Sequence, residues 1–427
     1  MTQAKKVKKT SKKEIIAEIC SDILEQNKTY NIRAEKEKIK KIISEIKKSI
    51  TKQKIDADVL LGGSTAKDTI IGNDFDIDIF VRFNDKKYSD KNISELLHTI
   101  VAKVPHKDLQ KVHGSRDYFQ IDKRYEIIPV LKIKTPENAP NVTDASPLHV
   151  GWVTKQIKKN PSLKDEIRLM KLFLKGTGTY GAESYIKGFS GHVTDILVIN
   201  YKTFTDTLKN IAKWKEQTVI DVEKHKSLAI IDKAKQTGPL IIIDPIQPNR
   251  NASASVSKEV YNTIKEKAQE FLDNPHKNFF EKPAITPEYI ESLKKSYTCV
   301  LKVTVQKGKS DIIGARLLKA YEHIAKKLAL WNVTEKTWRW DKEKEAYFAY
   351  SVKRTTIPKI YEQIGPTDEF KEHVVKFKKK YKKVTKKGKN YVAEVERKHT
   401  TVKEVLDEIK KDEYIKQKVK KISIIKP

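Results

Sequence analysis

The stretch that most restricts the fold is Asp76-Ile-Asp-Ile-Phe-Val81, which runs on to Phe83. Acidic and apolar residues alternate there with a period of two, the pattern of a β-strand with one buried face. Residues i and i+2 of a strand point the same way, so Asp76 and Asp78 present two carboxylates on one face while Ile77 and Ile79 enter a core on the other. Two adjacent carboxylates repel each other unless a cation neutralises them. Carboxylate oxygens suit Mg2+, and two such ions roughly 3.5–4 Å apart can serve a phosphoryl displacement. Upstream, Asp58–Leu61 reads as another short strand, ending in Gly62-Gly63-Ser64. Glycines in such a turn let backbone N–H groups and a hydroxyl approach a triphosphate. Taken singly, an Asp-x-Asp pair also suits an exposed strand edge, and a Gly-Gly-Ser a plain turn. The combination, with Asp76 twelve residues after Ser64, is far more restrictive.

Periodicity sets out the rest of the chain. Isoleucines at helical spacing over residues 11–53 predict two amphipathic helices, Ser94–Val104 a further helix, and Tyr118–Ile121 and Tyr125–Ile133 two strands. Lys134–Pro147 reads as a loop. From Gly151 to Asn200 helical spacing dominates, broken at Gly176–Gly181 and Gly188–Gly191, and Thr203–Lys213 adds a helix. Leu240–Ile243 is a strand stopped by Asp244-Pro245, and Ser257–Asn274 a helix. Beyond a linker at Pro275–Pro287, the expectation is strand Thr298–Val305, helix Ile312–Leu330, a hairpin of Thr337–Trp340 with Ala346–Val352, and a helix over Pro358–Ile364. Glu369–Lys383, Tyr391–Arg397 and Val402–Lys421 mix helix and strand, and no internal repeat is seen.

Charge narrows the partners. With 87 Lys and Arg against 56 Asp and Glu, the net charge of +31 calls for a polyanion. The length of 427 residues predicts several domains. Cys20 and Cys299 lie far apart among apolar neighbours, which argues against a metal cluster or disulfide framework and for a reducing compartment, the cytoplasm. No apolar run has bilayer length, and the basic N-terminus, with its Lys5–Lys13 cluster, lacks the apolar region of a secretory signal. The tract Lys376–Lys389 interleaves Phe377 and Tyr381 with lysines, among them Lys378, Lys379, Lys380, Lys382 and Lys383. That pattern suits RNA phosphates and sugars, a solvated helix face being the alternative. His399 has no second ligand at metal spacing and is given no metal role.

These motifs resemble the nucleotidyltransferase superfamily that includes DNA polymerase β. More closely, the chain resembles the class I, archaeal-type CCA-adding enzymes, tRNA nucleotidyltransferases that rebuild the 3′ CCA end, and it does so over nearly its whole length. The resemblance rests also on Tyr125-Glu-Ile-Ile-Pro129, Ser146-Pro-Leu-His149, Arg168-Leu-Met-Lys-Leu-Phe-Leu-Lys175, Tyr180-Gly-Ala-Glu183 and Asp244-Pro-Ile-Gln-Pro-Asn-Arg-Asn251. It implies a multidomain α/β and α+β protein: a polymerase β-like nucleotidyltransferase head (1–145), a helical neck (146–256), an α+β body (257–296 with 367–427) and a small α+β tail (297–366). It implies two Mg2+ ions on Asp76, Asp78 and Glu126, where the family usually has aspartate at the third position, Asp122 being the neighbouring acid. Gly63 and Ser64 would meet the phosphates of CTP or ATP, together with Lys67, which stands where the family often has arginine. His149, Lys171 and Tyr180 would contact the nucleotide, and Arg250 would help tell C from A. From the residues alone, a histidine after a Pro-rich loop, as His149 is, is more often structural than catalytic, most lysines of an amphipathic helix such as Lys171 are solvated, Tyr180 could pack on the helix end or stack on a base, and Arg250 could cap the following segment. The implied reaction is template-independent CCA addition with release of pyrophosphate, the acceptor arm of tRNA held by body and tail, no membrane, and a homodimer among the assemblies allowed. Another RNA 3′-nucleotidyltransferase, adding poly(A) or part of CCA, and a non-catalytic RNA-binding relative are the alternatives.

Overall fold

The computed structural model describes residues 11–27, 32–72, 75–226, 228–229, 231, 233–282 and 284–426. Asp74 and residues 5–10 of the N-terminal lysine cluster lie outside these. The chain divides into two units, residues 1–282 and 283–427.

In the first unit, helices α1 (Lys12–Asn27) and α2 (Ile32–Lys52) precede β1 (Ala57–Leu61), α3 (Gly63–Lys67), β2 (Ile77–Asn84), α4 (Asp85–Tyr88), α5 (Ile93–Val101), β3 (Leu109–Val112), β4 (Tyr118–Ile121) and β5 (Tyr125–Lys132). The five strands form one sheet in the order β1-β2-β5-β4-β3. Only β2 and β5 run parallel, in a register that sets Asp78 beside Glu126. The alternation in β2 is obeyed: Ile77, Ile79, Val81 and Phe83 are buried, packing with Ile46 and Ile50 of α2 and Leu97, Ile100 and Val101 of α5. Those two helices cover one face, so the polar residues of β2 are left to the other.

The rest of the unit is mainly helical: α6 (Ser146–Lys159), α7 (Leu163–Gly176), α8 (Gly191–Tyr201), α9 (Phe204–Ala212), the parallel pair β6 (Thr218–Ile220) and β7 (Leu240–Ile242), and α10 (Lys258–Asp273). Its core holds Ile16, Ile19 and Ile23 of α1 and a cluster of rings in which Phe173 meets Phe204 and Phe271 edge-on at 5.6 and 5.5 Å between centroids. Edge-to-face rings at this spacing add to the burial of their area.

The second unit contains α11 (Pro287–Ser296), β8 (Cys299–Thr304), α12 (Ser310–Lys327), β9 (Val333–Trp340), β10 (Glu345–Val352), β11 (Ile360–Thr367), α13 (Lys371–Lys380), β12 (Val384–Lys387), β13 (Asn390–Glu396), α14 (Val402–Ile409), α15 (Glu413–Lys418) and β14 (Lys421–Lys426). One sheet has the order β14-β8-β10-β9 and the other β11-β13-β12. The helix expected over Pro358–Ile364 is instead β11, paired antiparallel with β13 from Ile360 opposite Glu396 to Ile364 opposite Val392. The reason is a period of two: Ile360, Glu362 and Ile364 are exposed on one face while Tyr361 and Gln363 are half-buried on the other. Pro358 suits the first turn of a helix, but here it precedes an edge strand. Cys20 and Cys299 are free thiols. Among the described residues no helix is long and apolar enough to cross a membrane.

Candidate active site

The site is built where β1 turns into α3. Gly62 N–H donates to the Asp78 carbonyl at 2.8 Å, drawing the turn onto β2. A Cβ on Gly62 would sit 2.4 Å from the ring of Phe80, and one on Gly63, whose φ is +55°, would fall 1.7 Å from Asp78 Oδ2. The two glycines are therefore required by the carboxylate strand beneath them, a reason the sequence did not disclose. Ser64 lies half-buried in the first turn of α3, which replaces the simple turn expected there.

Asp78 and Glu126 are register neighbours on adjacent parallel strands and share a sheet face, with Asp76 just ahead of β2. Tyr118 on β4 donates its hydroxyl to Glu126 Oε1 at 3.1 Å. Burial and the Asp76 charge push the Asp78 carboxyl up to about 6, against an opposite pull from Lys67. Such a shift marks a carboxylate whose neighbours do not fully neutralise it, and a divalent cation would. Asp122 is committed elsewhere: its Oδ1 accepts the backbone N–H groups of Lys107 and Asp108 at 2.8 and 3.0 Å.

Behind α3 lies a network of charges. Lys67 is buried and ion-paired with Asp195 of α8, which is fully buried. Lys171 of α7 donates to Thr69 Oγ1 at 2.9 Å and its carbonyl at 3.2 Å, and lies 3.9 Å from Asp195. Burial, opposed by Asp195 but reinforced by Lys67, pulls the Lys171 amine down to about 8. Lys164 reaches Asp68 Oδ2 at 2.9 Å, and Arg168 donates to the Asp68 carbonyl at 2.6 Å. Thus α3 is tied to α7 and α8 through three successive residues. Tyr180 is half-buried, its phenol raised chiefly by burial, and its hydroxyl would lie 3.1 Å from a Cβ on Gly191.

A second acidic centre gathers His149 and Arg250. Asp244, fully buried just past β7, accepts His149 Nε2 at 2.9 Å and Arg250 Nη1 at 2.6 Å on Oδ2. Its Oδ1 accepts the N–H groups of Ile246 and Gln247 at 3.0 and 3.2 Å. Burial opposes ionisation there, but the hydrogen bond from His149 and the close approach of His192 outweigh it and hold the carboxyl well below its usual range. The rings of His149 and His192 stand 4.3 Å apart between centroids. Burial pulls the imidazole of His149 below its ordinary value in spite of Asp244.

Sequence reasoning gave no role to Asp68, Thr69, His192, Asp195 or Asp244. For Asp195 a signal existed: an acid inside the apolar run from Val193 to Ile199 needs a buried partner. His192 carried none. Lys378, Lys379, Lys380, Lys382 and Lys383 lie in the second unit, all exposed, with Lys378 over the Tyr391 ring at 4.6 Å and Lys380 over Tyr381 at 5.2 Å.

A parallel strand pair bearing clustered carboxylates beside a glycine-serine turn defines a nucleotidyltransferase of the polymerase β type. Residues 36–168 match the family described as nucleotidyltransferase domain, 165–281 that described as tRNA nucleotidyltransferase, second domain, and 294–422 that described as CCA-adding enzyme, C-terminal domain. The chain is 30% identical to the CCA-adding enzyme of Methanocaldococcus jannaschii over 92% of its own length and 90% of that protein. It is 43% identical to the CCA-adding enzyme of Nanoarchaeum equitans over 56% of its length, a match that spans 61% of that protein. The Cid1 poly(U) polymerase, in a structure with MgATP bound, shares the fold over 64% of this chain and all of its own, with a TM-score of 0.52 and 12% identity. The chain belongs to the archaeal-type CCA-adding enzyme family.

Proposed function

We propose that this chain adds C, C and A to the 3′ end of tRNA from CTP and ATP, without a template, releasing pyrophosphate. The observation that carries the reading is the register of Asp78 against Glu126 beneath the turn at Gly63. Asp76, Asp78 and Glu126 would hold two Mg2+ ions, and the raised Asp78 carboxyl fits a site completed by cations. When bound, the ions supply positive charge to the attacking and leaving oxygens. Glu126, oriented by Tyr118, serves the side of the incoming hydroxyl. Gly63 and Ser64 receive the triphosphate, and Lys67 and Lys171 supply positive charge behind it, both steadied by Asp195. Tyr180 and His149 line the nucleotide, and Arg250 presents its outward N–H groups to the base. Catalysis is then positioning and electrostatic stabilisation with no covalent intermediate on the protein.

Lys378, Lys379, Lys380, Lys382 and Lys383 would hold RNA phosphates, as suits A-form RNA recognised by shape and backbone. The division into head, neck, body and tail belongs to the same proposal. Under it β14 of the body (367–427) pairs with β8 of the tail (297–366), so the two would share one sheet. A cytoplasmic location and a homodimer are further elements, the second tested by sedimentation at assay concentration. The match of 294–422 to the CCA-adding C-terminal domain favours CCA addition over poly(A) addition. The test is purified protein with tRNA lacking CCA, Mg2+ and labelled CTP or ATP, the products resolved to single nucleotides. Two C and one A are expected. Extended A tracts, or no addition by folded protein, would overturn the reading.

A further inference from the structure

The Asp244 centre holds more than its hydrogen bonds explain. Its Oδ1 is fixed by two backbone N–H groups, from Ile246 and Gln247, which leaves Oδ2 facing His149, His192 and Arg250. His192 Nε2 points at that oxygen from 3.4 Å, yet it is buried and makes no hydrogen bond. His149 Nε2 lies 2.9 Å from the same oxygen and 3.1 Å from Oδ1. One potential ligand atom from each of His149, His192 and Asp244 lies within 4.8 Å of the other two. A tetrahedral ion with bonds of about 2.0–2.1 Å needs its ligands roughly 3.3 Å apart, so small side-chain adjustments suffice. Two imidazole nitrogens and one carboxylate oxygen suit Zn2+ and its neighbours among the transition metals, whereas Mg2+ prefers an octahedron of oxygens. The backbone hydrogen bonds on Oδ1 are the outer support that such a ligand carboxylate commonly has.

Arg250 is the competitor. Its Nη1 occupies the same Oδ2 at 2.6 Å, but its side chain is 47% exposed and free to turn outward. We propose that His149 Nε2, His192 Nε2 and Asp244 Oδ2 form a site for a transition-metal ion of the Zn2+ class, separate from the Asp76, Asp78 and Glu126 cluster. Metal binding there and the Arg250–Asp244 ion pair are mutually exclusive. A further consequence rests on the nucleotide reading above: an ion at this site takes His149 and Arg250 away from the nucleotide and inhibits addition.

The experiment uses full-length protein in an Asp78→Ala background, which disables the other cation site, with Co2+ as the probe. Titration is expected to give the visible absorption of a four- or five-coordinate nitrogen and oxygen site, displaced by Zn2+ and untouched by millimolar Mg2+. His192→Ala should weaken Co2+ binding by about 100-fold or more, as loss of a ligand exceeds loss of an outer-shell partner. Arg250→Ala should tighten it roughly tenfold, since the competing cation is gone. Binding that ignores His192→Ala, or that weakens in Arg250→Ala, would overturn the site, and Arg250→Ala keeps the test alive if His192→Ala misfolds. In the protein with Asp78 intact, Zn2+ should inhibit nucleotide addition, and His192→Ala should blunt that inhibition relative to its own zinc-free rate. Metal binding without inhibition would instead remove the assigned role of Arg250 at the base and leave the metal site standing.

Discussion

The first unit holds two acidic centres that solve the same problem in opposite ways. Asp244 is fully buried, yet its two oxygens meet His149, Arg250 and two backbone N–H groups, and its carboxyl is held well below the usual range. Asp78 is buried beside the Asp76 charge, with only the pull of Lys67 and a hydrogen bond from its own backbone in compensation, and its carboxyl is pushed up to about 6. Burial alone thus does not decide the state of a carboxylate; the donors brought to it do. With Arg250 in place the finished Asp244 centre fixes side chains, and a cation could enter it only by displacing that arginine, whereas the unfinished Asp78 centre suits the direct taking of a cation from solution.

The sharpest way to break this contrast is Asp78→Ala. Nucleotide addition is expected to fall below detection while folding and tRNA affinity persist, as seen in product gels beside circular dichroism and filter binding. Glu126→Gln comes next, with turnover lowered by orders of magnitude and nucleotide binding nearly unchanged in single-turnover assays. Glu126→Asp should also be poorer than wild type, because the backbone and Tyr118 are set for the longer side chain. At the finished centre, Asp244→Asn leaves His149 and Arg250 without their shared charge. A loss of about 3 kcal/mol in unfolding free energy is expected, as for a broken buried ion pair, with poorer discrimination between CTP and ATP. A urea titration showing no loss would mean that the centre is not a finished one.

The titration of Asp78 gives a fourth test. Its folded value of about 6 lies above the ordinary 3.8, so the folded state binds the proton more tightly than the unfolded chain. The stability this contributes is full below about 4 and is lost as pH rises through about 6, a difference of about 3 kcal/mol. In EDTA at pH 7.5, Asp78→Asn is therefore expected to melt above wild type, with the gap closing toward pH 4 and Mg2+ raising the wild type alone. A wild type that melts higher in EDTA at pH 7.5 would contradict the unneutralised carboxylate. The smallest effect is expected in the second unit. Replacing Lys378, Lys379 and Lys380 with alanine should make log K for tRNA against log salt shallower by roughly 0.7 to 0.9 for each phosphate that is no longer neutralised. An unchanged slope would assign these lysines to solvent.

Much of the unfinished centre was legible because it is local. A period of two around Asp76 and Asp78 fixes a strand and its faces, and a second apolar strand at Tyr125–Ile133 offers a place for Glu126. The finished centre was not, because His149, His192 and Asp244 come from α6, α8 and the turn after β7, with no spacing to relate them. The error at Pro358–Ile364 has a related cause. A short segment with proline at its head fits both a helix start and an edge strand, and pairing with β13 decided it.

The sequence by itself determined the strand that carries the two aspartates, the helical stretch that follows, the basic charge and the kind of chemistry, since these depend on residues a few positions apart. Tertiary structure alone decided that Glu126 stands beside Asp78, that Gly63 leaves room for that carboxylate, and that Lys67 and Lys171 converge on Asp195. Strand register and helix packing bring together residues more than a hundred positions apart, as with Lys67 and Asp195, and no periodicity along the chain encodes such distances.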